Sequence, residues 1–322
     1  MASTKIANHT PEIISILINA KDIFWQAFEV QMLKEKNMGR YSRETNLAFH
    51  FIIFSINCFV ITYSPWWILP PFIFIQSLFF VGFFEAFHQA VHFRLVKKRK
   101  ANIILGHFYG AFLNSNFYAY RGFHLKHHSK LNKFNDPERL LFKSKRNSGS
   151  FIINLMRAPY LAYKNSMIFN SAGIFTNNIE KEKSKLTNVI NIITSITMIV
   201  FLILNYNLFL CLVGIPLILF LIIEYFIGHS QHYYCSDNYS FHNGSSTSIN
   251  EDTTDLQFSR ILSYIILHAN LHAIHHVRPG TNWPNAWRDN NKLIASGDVS
   301  PPKSIMSFLK DFYHFGPKEN KN

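Results

Sequence analysis

Three short histidine patterns carry the densest chemistry in the chain. His88-Gln-Ala-Val-His92 is an HxxxH, His124-Leu-Lys-His127-His128 an HxxHH, and His272-Ala-Ile-His275-His276 a second HxxHH. Residues i, i+3 and i+4 share one face of a helix, so each pattern aims two or three imidazoles the same way. Imidazole is a good ligand for iron, zinc and copper. Eight aligned rings exceed what one four-coordinate zinc needs and suit two metal ions side by side. Soluble di-iron bundles use two Glu-x-x-His motifs. Here there is one, Glu85-Ala-Phe-His88, so a carboxylate-rich ligand set is not supported. The zinc-protease pattern HExxH is absent. Cys58, Cys211 and Cys235 show no paired spacing, which argues against a disulfide scaffold or a thiolate zinc site.

Something must bring these patterns together, and the rest of the composition says what. The chain has 322 residues, 48% of them hydrophobic, with 32 Phe and only 16% charged. That charged fraction lies below the roughly 25% of a soluble domain, and the high hydrophobic share excludes a disordered chain. Four apolar runs, at 46–63, 66–87, 187–204 and 208–228, approach the roughly 20 residues a helix needs to span a bilayer. The separators Ser64-Pro65 and Asn205-Tyr206-Asn207 are short enough for two tight helical hairpins. Six Lys/Arg precede the first run, eighteen lie between the hairpins and eight follow the last, which accounts for all 32. The positive-inside rule then puts both termini and the long middle segment on the cytosolic side. Trp66 and Trp67 sit at the opposite turn, where an aromatic belt belongs. A soluble protein with four buried helices would rarely keep them free of Lys and Arg along their whole length.

The expected organisation is all-α: four transmembrane helices and a helical cytosolic cap that carries the histidines. Residues 1–45 form a cytosolic N-terminal region, 46–87 the first hairpin and 88–186 a cytosolic segment. Residues 187–228 form the second hairpin and 229–322 the last cytosolic segment. Within the N-terminal region, 13–33 reads as an amphipathic helix after Thr10-Pro11, lying on the bilayer surface or packed on the cytosolic part. The stretch 101–120 is apolar but broken by Gly106, His107, Gly110 and Asn114-Ser115-Asn116, so it is partly inserted or buried in protein. Thirteen of the 16 histidines fall within 88–128 and 229–276, and both windows open where a span ends. A histidine-rich metal carrier is the non-enzyme alternative. Transport would want polar groups inside the spans, which offer few, among them His50, some Asn, Ser and Thr, and Glu224.

The pattern resembles the membrane-bound fatty acid desaturase and hydroxylase superfamily, marked by three histidine boxes on the cytosolic side of four membrane helices. The resemblance runs from about residue 46 to residue 287. The second box continues to Asn135-Asp136-Pro137-Glu138, similar to acyl-lipid desaturases. The third reads Asn270-Leu271-His272-Ala-Ile-His275-His276-Val-Arg278-Pro279-Gly280, similar to bacterial members. Carotenoid ketolases, carotenoid hydroxylases and alkane hydroxylases share the plan.

The resemblance implies a di-iron centre held by His88, His92, His124, His127, His128, His272, His275 and His276. It also implies a further ligand at the end of the fourth span, with His232 preferred and His229 a close second. His268 is an extra ligand or an ordinary hydrogen-bonded histidine. Metal-bound imidazoles usually donate their other N–H to a carboxylate or carbonyl. Asp136, Glu85, Glu138 and Glu224 are candidates, although Asp136 and Glu138 could instead pair with Arg139 or Lys133. His107 and His242 match no box. The implied reaction uses O2 and external electrons to desaturate an acyl chain, with hydroxylation or ketone formation as the alternative. The substrate is an acyl-lipid, acyl-CoA or acyl-carrier protein, met at the membrane lipid, and no nucleic acid is involved. No His-Pro-Gly-Gly haem motif or Rossmann glycine fingerprint occurs, so electrons are expected from a separate ferredoxin or cytochrome b5-like donor. A bacterial inner membrane is preferred over the endoplasmic reticulum.

Overall fold

A computed structural model describes residues 42–131, 136–138, 156–161, 163–164, 178–233 and 253–315. The expected amphipathic helix at 13–33, along with Asn135, Cys235 and His242, lies outside the described residues.

Helix α1 (Arg43–Tyr63) begins at Ser42, whose hydroxyl accepts the Thr45 N–H at 3.1 Å, with Glu44 in the positive first turn. Ser64-Pro65 stops it. A 3-10 turn (Trp66–Ile68) leads into α2 (Leu69–Val91), which opens with proline in its first turn, where a missing N–H costs nothing. Helices α3 (Arg99–Phe112) and α4 (Phe117–Lys130) follow. Helix α5 (Asn178–Leu204) ends at Asn205, whose side chain accepts the Leu208 N–H. The chain then runs through α6 (Tyr206–Phe209), a π-helical turn (Leu210–Gly214) and α7 (Ile215–Tyr233). After 253 come β1 (Leu256–Gln257), α8 (Arg260–Ile265), α9 (His272–Val277), α10 (Ala286–Ser296), β2 (Lys303–Ser304) and α11 (Ile305–Phe315). The two short strands pair in parallel.

Among the described residues four helices are long and apolar enough to cross a membrane: Arg43–Tyr63, Trp66–Val91, Glu180–Leu204 and Tyr206–His232. Each follows one of the four apolar runs, and the second and fourth continue beyond theirs. The reason is local: Glu, His, Gln and Ala are compatible with helix, so the backbone keeps its hydrogen bonds after the side chains turn polar. Two hairpins place the ends of α2 and α7 at the same end of the bundle as the starts of α1 and α5.

Helix α2 is the central post. Phe79, Phe80, Val81, Phe83, Ala86, Phe87, Ala90 and Val91 are all buried, packed by α1, α3 and α7. Helix α5 is its opposite: only 11% of its most apolar window is buried, against 44% for the second span. Ile192, Ile196, Ile199 and Ile203 stand exposed along it, as a lipid-facing helix requires.

The stretch 101–120 is no span. It breaks at Asn114, a left-handed residue (φ 51°), into α3 and α4. Gly110 is needed there, because a Cβ would meet the Ser115 carbonyl at 2.7 Å and the Phe87 ring at 2.8 Å.

Candidate metal centre

Four elements carry the site, and each is fixed by a different device. His88 lies in the last turn of α2 and His92 caps it. His124, His127 and His128 lie on α4. That helix starts at Asn116, whose Oδ1 accepts the Tyr118 and Ala119 N–H groups, both at 3.1 Å. Its amide donates to Ser184 Oγ (2.7 Å) and Asn188 Oδ1 (2.6 Å), fastening the start of α4 to the third span. His232 lies in the last turn of α7. His272, His275 and His276 occupy α9.

The approach to α9 is strained. Leu267 (φ 51°) and His268 (φ 65°) are consecutive non-glycine residues in the left-handed region, which costs roughly 1–2 kcal/mol apiece. Backbone bonds His268 N–H to Ser263 O (2.6 Å) and Leu271 N–H to His268 O (2.9 Å) hold them, while Gln231 donates to Ala269 O (2.8 Å). The span residue next to His232 is thereby tied to the loop before the third box. His50, on α1, donates from Nε2 to Ile265 O at 2.8 Å. A Cβ on Gly82 would collide with that same carbonyl.

Two groups of rings result. His88, His92, His124, His128 and His275 form one, and His127, His232, His272 and His276 the other. Within each group the ligand nitrogens lie within 4.8 Å of one another. Each HxxHH box is split. Box 2 gives its i, i+4 pair to the first group and His127 to the second; box 3 gives its i, i+4 pair to the second and His275 to the first. The groups abut, with His128 and His276 ring centroids 4.6 Å apart. His92, His128 and His232 are half-buried and the other six are buried.

The nitrogens point at one another. His88 Nε2 is 2.8 Å from His124 Nε2, His128 Nε2 is 3.0 Å from His124 Nε2 and 2.9 Å from His275 Nε2, and His272 and His276 meet at 2.8 Å. Two imidazoles bound at about 2.1 Å to one ion, at angles near 90–110°, would stand roughly 3.0–3.4 Å apart.

Carboxylates fix the tautomers. Nδ1–H of His88 donates to Glu85 (3.1 Å), that of His124 to Glu138 (2.7 Å) and that of His127 to Asp136 (2.9 Å). Gln89 donates to Glu85 at 2.6 Å, and the Glu138 N–H to Asp136 at 2.9 Å. With Nδ1 protonated, a neutral ring presents a lone pair at Nε2. The lone pairs of His88 and His124 then face each other at 2.8 Å in a buried site, an arrangement that a cation between them relieves. His92 Nε2, also buried, has no hydrogen-bond partner among the described residues.

Electrostatics agree with a neutral donor set. Burial, then the neighbouring histidines, lowers His128 to about 3 and His92 to about 2, and takes His124, His272, His275 and His276 well below the usual imidazole range. His127 differs: burial pulls it down, but Glu138 and Asp136 together outweigh that and leave it raised. Burial also raises Glu138.

Several candidate residues stand apart from the two groups. The His229 ring turns back along its own helix, with Nδ1 at 2.9 Å from Tyr225 O. His268 is buried with Trp283 as a ring neighbour, and among the described residues neither of its nitrogens has a hydrogen-bond partner. No hydrogen bond links Glu224 to a box histidine among the described residues. His107 sits between Phe117 and Tyr118, with Thr187 Oγ1 at 3.2 Å.

One residue escapes a sequence reading. Helix α9 begins after Leu271, which cannot cap it. Buried Asp255 does so from a distance, accepting Ala273 N–H (2.7 Å) and Asn290 Nδ2 (2.8 Å). Burial raises Asp255 to about 6 against those bonds. The local sign was weak: an acidic residue just before a strand of two residues.

The family model for fatty acid desaturases matches residues 64–288, a stretch that contains all nine grouped histidines, Glu85, Asp136, Glu138 and Asp255. A search of curated proteins finds no match.

Proposed function

Because the chain belongs to the fatty acid desaturase family, we propose that it is an O2-dependent, non-haem di-iron enzyme that introduces a double bond into the acyl chain of a lipid. One observation carries the reading. His88 and His124, each held at Nδ1 by a carboxylate, turn their Nε2 atoms to within 2.8 Å of each other in a buried site. Nine imidazoles in two adjoining groups suit a pair of metal ions. In this reading His88, His92, His124, His128 and His275 hold one iron, and His127, His232, His272 and His276 the other.

Two irons, once bound, supply O2 activation with two external electrons and the removal of hydrogen from an unactivated C–H bond. The balance is O2, two electrons, two protons and –CH2–CH2– giving –CH=CH– and two waters. The residues of the chain do the rest. Glu85, Glu138 and Asp136 keep the Nδ1 protons and so aim each Nε2 inward. The packed ends of α2, α4, α7 and α9 exclude water and keep the site rigid. All Lys and Arg lie outside the hairpin turns, which supports a cytosolic site and termini. The substrate is an acyl-lipid, acyl-CoA or acyl-carrier protein, and a separate ferredoxin or cytochrome b5-like protein delivers electrons. A bacterial inner membrane is the preferred location.

Fatty-acid profiling of cells that make this protein, beside cells that make its His128→Ala form, tests the reading. New double bonds in the first alone support it. Hydroxyl or keto products would move the assignment to a hydroxylase or ketolase. A single zinc, or no metal in a folded preparation, would overturn the di-iron centre.

A further inference from the structure

Five basic residues follow α2 almost at once: Arg94, Lys97, Lys98, Arg99 and Lys100, all exposed. The desaturase reading uses none of them. Phe93, left-handed at φ 58°, turns the chain here, and the guanidiniums of Arg99 and Arg121 lie over its ring at 4.6 and 4.3 Å. Arg99 is thus partly engaged. Among the described residues no carboxylate forms an ion pair with Lys98 or Lys100.

The same segment continues as α3, whose two faces differ. Asn102, Tyr109 and Gly110 are buried against the bundle, with Asn102 donating to Val96 O and Lys98 O at 2.7 and 2.9 Å. On the other face Ile104 and Phe108, one helical turn apart, are 69% and 50% exposed.

Two contacts set the depth of this face. At the start of the segment, Lys97 N–H donates to Glu44 Oε1 at 2.7 Å, in the first turn of α1. Further along, the Phe108 ring lies 6.2 Å from that of Phe51, two turns down the same spanning helix. At 1.5 Å per residue, Phe51 lies about 10 Å below Glu44 along the helix axis. The segment therefore descends beside α1, from the first turn of that candidate span at Lys97 to its apolar run at Phe108.

We propose that residues 97–108 form a binding site for one anionic phospholipid of the surrounding bilayer. Lys97, Lys98 and Lys100 hold the headgroup phosphate, and the acyl chains lie along Ile104 and Phe108. An acidic protein could reach the lysines, but it has no means of covering apolar side chains at that depth. Clustered basic residues beside a membrane helix attract anionic lipid.

Native mass spectrometry of the full chain, released from nanodiscs of phosphatidylcholine doped with phosphatidylglycerol, tests the proposal. The wild type is expected to retain one phosphatidylglycerol in preference to phosphatidylcholine, and Lys97→Gln/Lys98→Gln/Lys100→Gln to bind it about a hundredfold more weakly. Phe108→Ala should shorten retention of phosphatidylglycerol and leave that of a short-chain, water-soluble analogue unchanged. These surface variants keep the histidine centre, so metal content should match the wild type. Equal retention by the triple-lysine variant overturns the proposal. So does a triple variant that keeps its lipid yet loses binding to an acidic electron carrier, which would make the surface a protein-docking site.

Discussion

Asp255 accepts the backbone N–H of Ala273 at 2.7 Å, so the helix that carries the third histidine box is capped by a residue eighteen positions upstream. The same carboxylate takes the side-chain amide of Asn290 at 2.8 Å, joining β1, α9 and α10 through one group. Asp255→Ala leaves two buried donors without an acceptor, which costs about 1–3 kcal/mol. The variant should insert in the membrane but lose metal and melt earlier. Asp255→Asn keeps one acceptor oxygen and should retain more metal than the alanine form. Metal analysis of the purified variants decides, and equal content in all three proteins would remove Asp255 from the positioning of the box.

The last turn of the fourth span offers a direct contrast. His232 lies with His127, His272 and His276, whereas His229 turns to the Tyr225 carbonyl. His232→Ala should lower iron content and turnover sharply; His229→Ala should leave the iron largely in place. The reverse result would exchange their roles. His276→Ala is expected to abolish turnover with membrane insertion intact.

The carboxylates behind the rings predict graded effects. Asp136→Asn and Glu138→Gln preserve shape but weaken the hold on the Nδ1 protons of His127 and His124. Loss of such partners commonly costs 10–100-fold in metal affinity. Competition with a chelator of known strength measures it, and affinities within twofold of wild type would refute the assignment.

Acid should expose the metal-free site. In the unfolded chain imidazoles take up protons near pH 6.5. In the folded chain burial and crowding hold His128 near 3 and His92 near 2, with His124, His272, His275 and His276 also well below normal. Below pH 6.5 the unfolded state therefore binds more protons, and stability falls as the pH falls. Chelator-stripped protein should melt at steadily lower temperatures from pH 7 to pH 5. A melting temperature that held constant over that range would show that these rings are not buried neutral.

Close packing behind the third box predicts a backbone effect. A methyl group on Gly82 would run into the Ile265 carbonyl that His50 holds. Gly82→Ala should destabilise by about 1–3 kcal/mol and reduce metal retention. Thermal melting and metal content of the variant check this, and a wild-type profile would mean that the loop moves aside freely.

The spans and the three boxes were legible because each depends on a local period: apolar runs of membrane length, and histidines at i, i+3 and i+4. The helix ends were less so. An apolar run marks where lipid stops, while backbone hydrogen bonding carries α2 on through His88 to Val91. The division of rings into two groups was beyond reach. Spacing puts His124, His127 and His128 on one face, but which neighbour each meets depends on where α2, α7 and α9 arrive. Asp255 was hidden for the same reason, since its partners lie far along the chain. Glu85, Asp136 and Glu138 could be named as candidates because they sit close in sequence to the rings they hold. Glu224, equally acidic, makes no such bond among the described residues.

The sparsely covered third span gives the molecule an unusual dependence on its surroundings. Helix α5 leaves most of its apolar surface uncovered by the rest of the protein, and at its foot Ser184 and Asn188 grip Asn116, the residue that starts the helix of the second box. A thinner bilayer, a stiffer one, or a detergent micelle would tilt or loosen that rod before disturbing the well-packed second span. Displacement of its foot would reach the helix of His124, His127 and His128 through Asn116, and through Lys183, which lies over the Tyr118 ring, so the condition of the membrane is felt at the histidine cluster.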